Sequence, residues 1–125
     1  MSKVEYIKDF NSILDTFLGQ LSPLIGSFYQ NKCRQLTKLN STIGIKKFYE
    51  YVVPHKKQIM EEDETYFKND LDYNKINKFN KNTSDFFLEE IVRLKNIYDK
   101  LDSENRKQMW SYFQALLILS EQYHQ

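Results

Sequence analysis

Apolar side chains recur in this chain at the spacing of a helix, and that period limits the possible folds more than any other feature. Tyr6, Phe10, Leu14, Phe17 and Leu21 follow one another at steps of three and four, with Ile7, Ile13 and Leu18 widening the stripe. Phe87, Ile91, Leu94, Tyr98 and Leu101 repeat the same pattern at steps of 4, 3, 4 and 3. A helix with one apolar face must bury it against another element. At 125 residues a chain can bury roughly two-thirds of its unfolded surface, enough for one core without disulfide or metal. The expected fold is therefore all-α: a compact single-domain bundle of five or six helices over residues 1–125.

Local breakers divide the stripes. Gly19, Ser22 and Pro23 punctuate the first, and Pro23 is well placed near the start of a second helix facing inward through Leu24, Ile25, Phe28, Tyr29, Leu36 and Leu39. NSTIG interrupts again, before a segment carrying Ile45, Phe48, Tyr49, Val52 and Val53. Pro54 then lacks an amide donor and disfavours helical geometry at Val53, which predicts a kink or boundary. HKKQIMEEDETYF reads as a weaker, more exposed helix. Residues 68–83 are polar and aperiodic, the longest candidate loop, with Leu71, Tyr73, Ile76 and Phe79 as scattered anchors. Thr83, Ser84 and Asp85 offer caps for the next helix, and Asp102 or Ser103 for the last. From Met109 to Leu119 the last helix is apolar almost all round, so it is expected at the centre, with the helices starting at Val4 and Thr83 against it.

Composition narrows the function. Eighteen basic residues face seventeen acidic ones, a formal net charge of +1, so no global charge draws the chain to nucleic acid or an anionic membrane. The imbalance is local: +3 over residues 1–53, 0 over 54–83 and −2 over 84–125. Cys33 is the single cysteine, which excludes an internal disulfide and a cysteine-rich zinc site and suits a reducing, intracellular setting. The N-terminus MSKVEYIKDF lacks the apolar stretch of a signal peptide, and ALLILS is too short to span a bilayer, so no membrane role is expected. Lys outnumbers Arg fifteen to three, Asn occurs ten times and Ala115 is the sole alanine, a bias that A/T-rich coding would produce.

Catalytic signatures are sparse. Gly19, Gly26 and Gly44 are isolated, so neither GxxxxGKS/T nor GxGxxG occurs, and His55 and His124 form no HExxH. A Cys33–His55 nucleophilic pair would need the fold to bring the two together; a lone cysteine is more often a small buried hydrophobe. Glu61 and Glu64 of the run EEDE could hold a divalent cation from one helical face, or form a solvated face. Asp70, Asp72 and Asn74 resemble the start of an EF-hand loop, but Lys75 stands where glycine is needed and Lys81 where a glutamate is. Neither a cofactor nor a metal is expected.

Two basic features remain. Lys32, Arg34, Lys38, Lys46 and Lys47 lie in a stretch without acids, and Lys75, Lys78 and Lys81 alternate with Ile76 and Phe79 in NKINKFNKN. Converging on one surface, they could contact phosphates while Phe79 and Tyr73 stack on bases; dispersed, they are ordinary surface lysines. Trp110, Tyr112 and Phe113 form the densest aromatic cluster. The helical spacing suggests core, with Tyr112 a partner-binding anchor if it faces outward.

DFNSILDTF, FYEYVVPHKKQIMEEDETYF and LDSENRKQMWSYFQALL, taken in this order, resemble small α-helical proteins encoded by nucleocytoplasmic large DNA viruses. The family's final Trp-x-Tyr run continues with leucine, where this chain has Phe113 after Tyr112. The resemblance implies a viral, A/T-rich source and a place in the host cytoplasm or virion, and it carries over no catalytic residue. Together these readings predict a non-enzymatic interaction or assembly module that binds a protein partner or itself, with Tyr112, Tyr73 and Phe79 as possible contacts. The alternative is a nucleic-acid-binding accessory protein using the two lysine clusters.

Overall fold

A computed structural model describes residues 2–66 and 96–125. Its described elements are helical throughout. Helix α1 spans Lys3–Ile25, α2 Phe28–Leu39, α3 Ile43–Val52, the short α4 Lys56–Met60 and α5 Ser103–Tyr123, with 3₁₀ turns at Val53–His55 and Tyr98–Lys100. The all-α class is as expected. The count of five or six helices is not: among the described residues four helices are ten residues or longer, and α4 is little more than one turn. The helix expected to start at Thr83, like the loop 68–83, lies outside the described residues apart from its last turn, where Tyr98 and Leu101 are buried.

Helix α1 starts where Ser2 Oγ accepts from the Glu5 amide at 3.3 Å, with Glu5 itself favourably placed in the first turn. Its stripe buries Phe10, Leu14, Phe17, Leu18 and Leu21. The boundary expected at Pro23 is absent, because α1 runs through Gly19 and Pro23 to Ile25. Proline has no N–H to give to the carbonyl four residues back, which is that of Gly19. The Ser22 hydroxyl donates to that carbonyl instead, at 2.8 Å, so it has an acceptor bond without the missing amide. The helix stops three residues later at Gly26, whose φ of 80° suits glycine.

That shift rephases the next stripe. The inward face of α2 is Tyr29, Cys33 and the half-buried Leu36, while Phe28 and Leu39 point to solvent. The side chain of Gln30 lies against Gly19 and donates to the Asp15 carbonyl at 3.1 Å, so α2 sits close to α1 where glycine leaves room. Between α2 and α3, Asn40 Oδ1 accepts from the Thr42 amide (3.1 Å) and hydroxyl (2.8 Å), and Asn11 Nδ2 donates to the Ser41 carbonyl at 2.9 Å, holding the turn against α1.

Helix α3 packs on α1 and α5 through Ile45, Phe48, Tyr51 and Val52, and it ends as expected beside Pro54, where a 3₁₀ turn replaces the α-helix. The acidic run does not continue as a helix. Helix α4 ends at Met60, and Glu62 takes a left-handed φ of 54°. Glu61 and Glu64 therefore do not share a helical face.

Helix α5 begins at Asp102, whose Oδ1 accepts from the Asn105 amide at 2.8 Å. It buries Met109, Trp110, Phe113, Leu116, Leu117 and Ser120 and packs against α1, α3 and α4, the central place that its composition predicts. Helices α1 and α5 run antiparallel. Lys3 at one end of α1 lies over the Tyr123 ring at 5.3 Å, while the last turns of α1 meet the first turns of α5. Among the described residues no helix is long and apolar enough to cross a membrane.

Candidate functional site

The two ends of the α1–α5 pair differ. Around Phe10, Ile45 and Leu117 the core is closed, and Phe48 of α3 bridges it, with its ring 5.6 Å from Phe10 and 6.0 Å from Phe113. At the other end the helices enclose an open groove of about 310 Å³, floored by Phe17, Leu21, Leu101 and Met109. Leu24 also lines it, with 49% of its surface exposed; among the described large apolar residues that are exposed, Val4, Leu24, Phe28, Leu39, Met60 and Ile118, it is the one that lines this groove. Tyr112 forms one wall, its ring 4.9 Å from that of Phe17.

The groove's position follows from local sequence. Ser22 and Gly19 let α1 extend past Pro23, which carries Leu24 out beside α5. Asp102 starts α5 directly after the buried Leu101, fixing the opposite wall. The lining residues that carry charge are Lys100 and Asp102, one of each sign, and Gln20, Asn105 and Gln108 supply amides. A polar rim around an apolar floor is suited to an apolar side chain from outside.

Tyr112 is half-buried while Trp110 and Phe113 are buried, so this aromatic cluster divides between core and groove. Trp110 Nε1 donates to the Tyr98 hydroxyl at 3.2 Å, and burial raises the Tyr98 phenol above its ordinary range. Arg106 lies over the Tyr98 ring at 4.7 Å and reaches Glu64 at 3.1 Å, which ties the acidic segment to α5.

The basic residues of the first cluster are spread over two helices, Lys32, Arg34 and Lys38 on α2 and Lys46 and Lys47 on α3. Lys32 and Lys38 are six positions apart on α2 and so project about 120° apart around the helix. Arg34 Nε donates to Asp15 Oδ1 at 2.7 Å and Nη2 to Oδ2 at 3.1 Å, so its guanidinium is engaged with α1. On α3, Lys47 lies 3.6 Å from Glu50 and over the Tyr51 ring, while Lys46 is exposed. Lys75, Lys78, Lys81, Tyr73 and Phe79 lie outside the described residues.

Cys33 is buried in α2 and His55 meets Tyr66, 2.6 Å from Nδ1 to the hydroxyl oxygen. Burial lowers the affinity of His55 for a proton, which favours a neutral ring accepting from the phenol. Among the described residues no group of three or more His, Cys, Asp or Glu side chains is placed to hold a metal ion.

Sequence reasoning named Tyr112 but missed the groove and Leu24. The signal available was Ser22 preceding Pro23, which allows a helix to pass through proline. Comparison with protein-family models, with curated proteins and with solved structures gives no match.

Proposed function

We propose that the protein is an interaction module that binds a protein partner, another chain or a second copy of its own, through the groove between α1 and α5. The observation that carries this reading is Leu24, a large apolar side chain held half in water at the edge of an apolar groove. A few anchors, often Trp, Tyr or Arg, supply most of the energy of protein interfaces, and Tyr112, packed on Phe17, offers such a contact. The reading assigns no reaction, cofactor or metal. The resemblance to viral proteins suggests the host cytoplasm or the virion as its setting.

A photo-crosslinking residue in place of Gln20, on the groove's rim, tests the proposal in the cells that make the protein. Gln122, exposed at the far end of α5, serves as the control position. A discrete protein adduct from position 20 and none from 122 supports the reading. No adduct, or equal adducts from both, refutes it. The nucleic-acid alternative has less support, since Arg34 and Lys47 face acids and Lys32 and Lys38 diverge. Binding that weakens steeply with salt and is abolished by Lys32→Glu with Lys38→Glu would revive it.

A further inference from the structure

We infer that the partner seated in the α1–α5 groove is a second copy of this chain, related by a two-fold axis beside Leu24. This inference rests on the proposed interaction role and specifies its occupant. A two-fold contact uses the same patch on both copies, so the patch must complement itself in shape and charge.

The groove's size and its mix of charges are compatible with both conditions. Leu24 is a knob placed at the edge of its own hole, so a two-fold axis next to it would carry each Leu24 into the groove of the other copy. About 310 Å³ is ample for that, since a cavity of roughly 150 Å³ already holds a benzene-sized group. Lys100 and Asp102 are opposite in sign, so a two-fold can set each against its counterpart, where a single-signed patch would repel its copy. Gln20, Asn105 and Gln108 both donate and accept, and so can face their own kind. The formal net charge of +1 adds little long-range repulsion between copies.

Sedimentation velocity over a concentration series tests this on the whole chain. The wild type should show a reversible monomer–dimer equilibrium. Leu24→Lys should weaken it at least tenfold with an unchanged helical circular-dichroism spectrum, because a lysine near the C-terminal end of α1 suits the helix dipole but not an apolar groove. Leu39→Lys, a substitution at an exposed site on α2, should leave the equilibrium unchanged. A wild type that stays monomeric throughout, or a Leu24→Lys variant that associates as well as wild type, overturns the inference. A monomer that still gives a crosslink from position 20 at a mass other than twice 15.1 kDa removes the second copy and leaves the interaction role standing. Absence of any crosslink removes both.

Discussion

The closed and open ends of the α1–α5 pair are built from the same two helices, yet one is core and the other surface. At the closed end a third helix is present: α3 inserts Ile45 and Phe48, and Phe10, Ile45 and Leu117 lose all contact with water. At the open end the groove is lined by α1, α5 and the Lys100–Asp102 segment before α5, with no residue of α3 among its lining, and Leu24 keeps half its surface exposed. Apolar spacing along a helix thus states which residues seek burial, and the number of elements that meet there decides which obtain it.

Truncation should separate the ends most sharply. Leu117→Ala at the closed end should cost about 2–5 kcal/mol in denaturant unfolding, because it opens a cavity in a fully enclosed site. Leu24→Ala at the open end should cost only about 0.5 kcal/mol. Equal losses would break the comparison.

Overpacking comes next. A β-carbon on Gly44 would lie 3.1 Å from a Phe10 ring carbon, so Gly44→Val should destabilise by about 1–3 kcal/mol as α3 is pushed from α1. Unfolding that matches wild type would mean that the closed end is looser than its burial implies.

At the mouth of the groove, Asp102→Ala removes the cap on the Asn105 amide and should cost about 1 kcal/mol. Asp102→Asn should recover most of that loss, since the amide oxygen can still accept.

The smallest effect belongs to the Asp15–Arg34 pair, which joins α1 to α2 away from both ends. Its bonds to the guanidinium hold the Asp15 carboxyl below the ordinary carboxylate range. A folded-state pKa depressed in this way contributes stability above the unfolded value of about 3.9, lost as pH falls through the folded one. Both side chains are partly solvated, so Arg34→Ala should cost less stability than any of the changes above near neutral pH, and less again in acid. An NMR titration should show the Asp15 midpoint rise in that variant.

Much of this architecture was legible beforehand. The α1 stripe, the stop at Pro54, the Asp102 cap and the central place of α5 each follow from short-range rules of spacing and capping. Pro23 departs from expectation because its effect depends on a substitute hydrogen bond from Ser22, which a rule about proline alone does not contain. Because α1 runs on to Ile25, Leu24, Phe28 and Leu39, which the apolar spacing places inward, are exposed instead. The acidic run failed for a related reason, since the left-handed turn at Glu62 belongs to a segment tied down by Arg106, a partner distant in sequence. Convergence of lysines and the existence of a groove depend on how helices pack, which periodicity does not specify.

The central claim is that the open end is where the molecule makes contact. The most direct measurement follows backbone amide chemical shifts while the protein is diluted. The account predicts concentration-dependent shifts confined to the last turns of α1, about Gln20 to Gly26, and the first turns of α5, about Asn105 to Tyr112. Shifts that instead track α2 from Phe28 to Leu39 would contradict it, and amides that do not move at any concentration would contradict self-association through this end.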